Sequence, residues 1–224
     1  MNNNLVYTDS RFILKSDPSF NTVFETPLPA TWWSRPHEYA WAAQFARSDH
    51  TVLDAACGVS HPFKWLLGSI CRETWACDID PRIDSMPRIL QEIRDDLGEA
   101  AFQIALSHAS VLQKVKLLRA SIDCLPAALP CFDCIVCIST FEHMLRKAQQ
   151  ETLKNFARHL KPDGRVIITV DYPVVTPHLL LEMAREENLV PAGSVEMEKP
   201  PKDALYSPEL SLYIYRCCLK HAYY

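Results

Sequence analysis

The feature that most restricts this chain is an alternation. From residue 50 onward, short runs with strand character take turns with longer stretches at helical spacing. Residues 52–56, Val-Leu-Asp-Ala-Ala, read as a strand. Ser60 can cap a helix with Pro62 in its first turn, and Phe63, Leu66, Leu67 and Ile70 recur at i, i+3, i+4 and i+7, one face of an α-helix. Residues 74–79 give a second strand. Met86, Ile89, Leu90, Ile93 and Leu97 mark an amphipathic helix that ends near Gly98, and residues 101–114 form a further helical piece. Residues 115–120 read as a third strand. Residues 131–139 hold a near-continuous apolar run, the pattern of a central strand covered on both faces. Leu153, Phe156, Ala157 and Leu160 mark the next helix, which stops at the turn Lys161-Pro-Asp-Gly. A fifth strand covers 165–171 and a helix covers 179–189, ended by Pro191-Ala-Gly. Residues 194–198 and 210–219 read as two last strands, separated by the proline-rich stretch 199–208.

Such alternation builds βαβ units with right-handed crossovers. It predicts an α/β, Rossmann-like doubly wound fold: a seven-stranded, mostly parallel sheet with helices on both faces. The last two strands have no helix between them, so an antiparallel C-terminal strand is expected at one edge. Residues 1–49 stand outside the pattern. They carry Trp32, Trp33, Tyr39 and the helix-start signal Ser34-Arg-Pro-His-Glu, and read as an N-terminal helical cap or lid on a main domain over 50–224.

Composition narrows the function. A chain of 224 residues fits one domain with a real core. The net charge of −4 lacks the basic footprint of a nucleic-acid binder. The apolar runs at 135–138 and 166–170 are far too short to span a membrane, and Met1-Asn-Asn-Asn has no leader character. Nine irregularly spaced cysteines fit a reduced, cytoplasmic protein better than a disulfide framework. Neither a nucleic acid nor a membrane is expected as partner, and the oligomeric state is left open. Five glycines against sixteen prolines weigh against any site built from several glycine-rich loops.

In open α/β sheets, ligands bind beyond the carboxyl ends of the strands, near the switch in strand order. There this chain supplies Asp54-Ala-Ala-Cys-Gly-Val-Ser, Asp78-Ile-Asp-Pro, Ser121-Ile-Asp-Cys-Leu-Pro and Ser139-Thr-Phe-Glu-His-Met. A phosphate site would ask for amides, lysine and arginine. An acidic rim instead suits a ligand that offers hydroxyls, amines or a positive charge.

On these residues the sequence resembles the class I S-adenosylmethionine-dependent methyltransferases of the small-molecule type, over about residues 36–219. The strand-and-turn Val52-Leu-Asp-Ala-Ala-Cys-Gly-Val-Ser looks like the family's first motif. Phe132-Asp-Cys-Ile-Val-Cys-Ile-Ser and Leu160-Lys-Pro-Asp-Gly-Arg-Val-Ile-Ile resemble later ones. The resemblance implies S-adenosyl-L-methionine as cofactor and a small-molecule methyl acceptor. It implies that Asp54 meets the methionyl amine, with Ala55, Ala56, Cys57 and Gly58 as the turn that approaches the cofactor. It implies that Asp80 takes the ribose hydroxyls, with Asp78 as competitor two residues earlier on the same face and Ile79 packing on the adenine. Asp123, with Ile122 beside it, matches the acid near the adenine amino group, and Ser139 follows the fourth strand. Glu142-His143 resembles a pair common in small-molecule methyltransferases, which makes His143 a candidate general base and acceptor contact. Trp33, Tyr39 and Tyr172 are candidate acceptor walls. His61 reads equally as a surface residue.

Two departures stand out. Ala56 and Ser60 occupy positions usually held by glycine. Alanine permits the close approach if its φ is negative, and the Ser60 hydroxyl has a helix to cap. An alternative reading therefore keeps the fold as a catalytically inactive binding or assembly module. A nicotinamide dehydrogenase is disfavoured, since the Gly-x-Gly-x-x-Gly loop is missing. The spacing Cys131-x-x-Cys134-x-x-Cys137 invites a metal, but strand alternation puts Cys134 on the face opposite the other two, and no metal is expected.

Overall fold

The computed structural model describes residues 6–223; the Met1-Asn-Asn-Asn start and Tyr224 lie outside the described residues. A short 3-10 turn leads into β1 (Arg11–Phe12), a small hairpin of β2 (Thr22–Val23) and β3 (Thr26–Pro27), and helix α1 (Arg35–Ala42). The expected alternation follows with β4 (Thr51–Ala55), α2 (Phe63–Ile70), β5 (Glu73–Asp78), α3 (Met86–Ser107), the one-turn α4 (Ala109–Leu112) and β6 (Val115–Arg119). It continues with β7 (Phe132–Ile138), α5 (Arg146–His159), β8 (Leu160–Tyr172) and α6 (Pro177–Glu186). The chain closes with β9 (Leu189–Pro191), β10 (Tyr206–Ser207) and β11 (Leu212–His221).

The main sheet runs β1-β11-β8-β7-β4-β5-β6. The five strands β8, β7, β4, β5 and β6 are parallel, and β11 is antiparallel to β8. This is the Rossmann-like doubly wound α/β sheet that the periodicities predict. Alternating side chains feed two different cores. Leu53, Ala55, Ile135 and Cys137 pack with Leu153 and Phe156 of α5 and Leu180 and Met183 of α6. Val52, Cys134 and Val136 pack with Tyr39 and Trp41 of α1 and Phe63 and Leu67 of α2. Each fully buried aliphatic or aromatic side chain contributes about 1.5–3 kcal/mol, so the two-sided burial of β4 and β7 makes them the centre of the molecule. No helix among the described residues is long and apolar enough to cross a membrane.

Several boundaries differ from the sequence expectations, each for a local reason. Gly98 does break α3, with φ +87, where the first helix is expected to end, but the second helical piece follows at once beyond it. Lys161-Pro-Asp-Gly is a bulged excursion inside β8, between the pairs Phe132↔Leu160 and Cys134↔Arg165. Asn188 takes φ +58 and ends α6, so Leu189, read as helical, starts β9 against His221. The strand expected over 194–198 is reduced to one bridge between Ser10 and Val195. The antiparallel strand is also not bare. On its outer side β11 is paired by β1, β9 and β10, with Phe12 opposite Tyr215. Residues before α1 are thus stitched into the sheet, which holds α1 over the strand ends described next.

Candidate functional site

Between β4 and β7 the strand order reverses: β5 and β6 lie on one side and β8 on the other. Neighbouring loops diverge at such a point and leave a crevice. A cleft of about 370 Å³ lies there. Asp54, Ala56, Cys57 and Gly58 line it from the turn after β4, and Asp78 and Ile79 from the end of β5. Ser121 and Ile122 come from beyond β6, Ile138, Ser139 and Thr140 from the end of β7, and Arg35 and Tyr39 from α1.

The turn after β4 is tightly tied. Ala56 takes φ +56 and Gly58 φ +64. The left-handed conformation costs a residue with a Cβ about 1–2 kcal/mol, so the negative φ that would have accommodated Ala56 is not what the turn uses. Around Gly58 there is no room for a side chain: a Cβ would stand 2.5 Å from His61 Cδ2. The Gly58 amide donates to Asp78 Oδ2 at 2.9 Å. From inside α2, the Lys64 ammonium donates to the Gly58 and His61 carbonyls, both at 2.6 Å. Ser60 does not cap α2. That helix begins at Phe63 with Pro62 in the cap position, and the Ser60 hydroxyl donates instead to Asp96 Oδ2 at 2.7 Å.

Asp54 is buried, and its Oδ2 has no hydrogen-bond donor. Burial, with repulsion from Asp78, pushes its carboxyl up to about 7 against the pull of Lys64. Burial likewise pulls the Lys64 ammonium down, although Cys57, Asp54 and Asp78 oppose this. A buried carboxylate oxygen with no donor is costly unless something positive answers it. The floor of the cleft therefore fits a ligand that brings an ammonium group.

Asp80, expected to take ribose hydroxyls, is not among the lining residues. Strand pairing ends at Asp78↔Arg119, and Asp80 caps the following 3-10 turn by accepting from the Arg82 amide at 2.8 Å. The Arg82 side chain folds back onto the same carboxylate at 2.7 Å and holds it down at about 2. Asp78 stands in the cleft instead, and its Oδ1 accepts from the Asp80 amide at 3.0 Å. Asp123 also lies outside the lining; the Ser121 hydroxyl donates to its carboxylate. Ala55 is buried within β4.

On the α1 side, a hydrogen bond of 2.5 Å joins Tyr39 Oη and His61 Nδ1, and Trp32 stacks on the His61 ring at 4.1 Å. Burial, reinforced by Lys64 and Arg35, pushes His61 down to about 3, so the ring is neutral. Arg35 Nη1 donates to Glu38 Oε2 at 2.6 Å. The Ser139 and Thr169 hydroxyls donate to Glu38 Oε1 at 2.5 Å each. Burial works against the Glu38 charge, but Arg35 and these two donors overcome it and hold the carboxyl below its usual range. The network clamps α1 to the ends of β7 and β8 and aims Arg35 at the cleft.

Three further expectations fall away from the lining. Trp33 lines a separate shallow hollow with Phe20 and Leu28. Tyr172 packs edge-on against Phe12 at 5.2 Å. His143 is exposed at the end of the 3-10 turn Phe141–His143, grouped with Glu142 and Asp171. Burial, with Asp171 and Glu38 nearby, pushes the Glu142 carboxyl up to about 8. In their place the lining holds Arg35, His61 and Asp78, with Lys64 buried behind the turn after β4. Lys64 had a sequence signal: it sits between Phe63 and Trp65 in an otherwise apolar stretch. Asp78 is the competitor of Asp80 already present in the sequence reading; in the structure it is the last residue of β5.

A family model described as a methyltransferase domain matches residues 53–168, just over half of the chain. No curated protein sequence matches significantly. Among solved structures, the chain resembles a 1,6-didemethyltoxoflavin-N1-methyltransferase of Burkholderia thailandensis with bound S-adenosylhomocysteine. That pair is 18% identical, with TM-score 0.55, over 82% of this chain and 76% of the other. It resembles the N-methyltransferase NodS of Bradyrhizobium japonicum in complex with S-adenosylhomocysteine, 12% identical, with TM-score 0.56, over 84% and 87%. It also resembles the [4+2]-cyclase SpnF, 11% identical, with TM-score 0.58, over 94% and 86%. At these identities the likenesses establish the fold, and the family model establishes the kinship. With the strand order, the β4 turn and the acid-lined cleft, they make this chain a member of the class I S-adenosylmethionine-dependent methyltransferases, whose cofactor is S-adenosylmethionine.

Proposed function

We propose that the protein is an enzyme that transfers the methyl group of S-adenosylmethionine to a small-molecule acceptor. The observation that carries this reading is the buried Asp54 Oδ2 with no donor at the floor of the cleft. When bound, the cofactor supplies a methyl group made electrophilic by its sulfonium. Asp54 would hold the methionyl ammonium, and Arg35 would face the carboxylate beside it. We assign the ribose hydroxyls to Asp78 rather than Asp80, because Asp78 faces the cleft while Asp80 is committed to Arg82. Ile79 and Ile122 would flank the adenine, with Ser121 at its edge and Asp123 behind. Cys57, Gly58 and Ser139 would contribute close backbone.

The chain's remaining work is alignment of nucleophile, methyl carbon and sulfur. His61 is too weakly basic to draw a proton efficiently near neutral pH; with Tyr39 it forms a wall of the cleft, and Trp32 stacks on its ring. The lid role of residues 1–49 is supported by Arg35 and Tyr39 of α1 lining the cleft. The modest negative charge and the 1,6-didemethyltoxoflavin bound by the similar Burkholderia thailandensis enzyme support a small acceptor. Nine free thiols support a reducing, cytoplasmic setting. A second reading, the fold without methyl transfer, is favoured by the left-handed Ala56 and by the cyclase among the neighbours.

Calorimetric titration with S-adenosylhomocysteine, followed by transfer of a labelled methyl group to fractionated small molecules, tests both. Binding that is lost in Asp54→Ala, together with label in a small product, supports the enzyme. Binding without transfer to any fraction favours the second reading. No binding at all refutes the assignment of the cleft.

A further inference from the structure

We propose a divalent-cation site formed by Glu142, His143 and Asp171 beside the cofactor cleft. The topology creates it. Glu142 and His143 belong to the 3-10 turn just after β7, and Asp171 lies near the end of β8. These strands are parallel neighbours, with Ile138 opposite Thr169, so both carboxyl ends arrive side by side. One donor atom from each of the three side chains lies within 4.8 Å of the others.

A second observation points to a ligand there. Glu142 is 6% exposed, and its Oε2 is buried with no donor. Its Oε1 accepts a bond of 3.3 Å from the Asp171 amide. Arg35, whose charge reaches both carboxylates, is already paired with Glu38. Among the described residues no lysine or arginine forms an ion pair with Glu142 or Asp171. Two crowded carboxylates, one with an orphaned oxygen, therefore lack a committed positive partner.

The donor set narrows the ion. One imidazole and two carboxylates suit a first-row divalent ion such as Mn²⁺ or Zn²⁺, whereas Ca²⁺ and Mg²⁺ prefer oxygen alone. Donors about 2.1 Å from a shared ion stand roughly 3–4 Å apart, a contraction that the exposed His143 side chain can supply. Three protein donors leave positions for water. They also leave positions for an oxygen or nitrogen of the acceptor, since Thr140 and Met144 on either side of this turn line the cleft. That last role rests on the methyltransferase reading; the binding of the ion does not.

The test is a calorimetric titration of metal-free protein with Mn²⁺ in the absence of cofactor, with free Mn²⁺ counted by electron paramagnetic resonance. One ion per chain is expected, with a dissociation constant below about 100 µM. His143→Ala and Asp171→Asn should each weaken it at least tenfold without lowering the melting temperature of the metal-free protein. Absence of saturable binding, or binding that survives both substitutions, overturns the site. S-adenosylhomocysteine binding measured on the same sample separates the two readings. Mn²⁺ binding without it leaves the cation site standing alone, and the reverse outcome removes the cation site alone.

Discussion

Replacing Asp78 should cost far more cofactor affinity than replacing Asp80, two residues further along. The Asp78 carboxylate faces the cleft and accepts from two backbone amides, Gly58 at 2.9 Å and Asp80 at 3.0 Å. An ionised carboxylate has about four lone-pair sites, so two remain for a ligand's hydroxyls. A hydrogen bond to a charged group is worth about 1.5–3 kcal/mol, which converts to a roughly 10- to 150-fold loss of S-adenosylhomocysteine affinity in Asp78→Ala. Asp80→Ala removes a cap and an ion pair outside the lining, and should change affinity by no more than about threefold. Loss of the Gly58 anchor could itself weaken binding by loosening the turn, so Asp78→Asn is the control. It keeps an oxygen for the Gly58 amide but loses the charge and the bond from the Asp80 amide. If the ribose assignment is right, the asparagine variant melts closer to the parent than Asp78→Ala does, yet still binds several-fold more weakly. Calorimetric titration of the three variants decides the matter. A tenfold loss in Asp80→Ala with Asp78→Ala intact would refute the geometric reasoning and return the ribose to Asp80.

Other outcomes follow from the same turn. Ala56→Gly relieves a left-handed alanine worth about 1–2 kcal/mol and gives back part of it as unfolded-chain entropy; a gain of about 1–3 °C in melting temperature is expected, and a fall would show that the methyl group packs usefully. Gly58→Ala, at φ +64 and with a Cβ 2.5 Å from His61, should destabilise by about 1–3 kcal/mol in urea unfolding and weaken cofactor binding with it. Lys64→Met leaves two carbonyls without their donor and Asp54 without its compensating charge, so a loss of about 2–4 kcal/mol is expected in the same assay. The Asp54 carboxyl is raised to about 7 in the fold, which means the folded state holds its proton more tightly than the unfolded chain does. Its contribution to stability is present below the ordinary aspartate range near pH 4 and is lost as pH rises through about 7. Urea melts of the parent and Asp54→Asn should therefore diverge across that window and run parallel above it. A difference that is flat with pH would contradict the burial assigned to this group.

Much of the architecture was legible because it is written in local periodicity. The period-2 and period-3.6 runs that place β4 to β8 and α2 to α6 reflect which faces are buried, and that is a property of neighbouring residues. Where the expectations slipped, a single dihedral or a pairing partner intervened. Asn188 at φ +58 moved Leu189 from helix to strand. Residues 194–198 lost their place on β11 because β9, β10 and β1 occupy it.

The chain's own order of residues was sufficient to place an acid-rimmed cleft at the carboxyl ends of the central strands, and to put Asp54, Gly58, Ile79 and Ile122 on its wall. It favoured Asp80 over Asp78 for the ribose, and it offered no way to choose which of the two lines the cleft, since both share one strand parity. That choice depends on where pairing with β6 stops and on an arginine that folds back over the turn. The meeting of Arg35, Glu38, Ser139 and Thr169, and of Glu142, His143 and Asp171, is likewise a product of packing. Glu38 lies 101 and 131 residues from Ser139 and Thr169, and Asp171 lies on the strand after the one that leads into Glu142-His143; a parallel sheet with α1 laid over its end is what brings these groups within a few ångströms. Periodicity reports which residues leave water; distance between charges is decided when the strands pair.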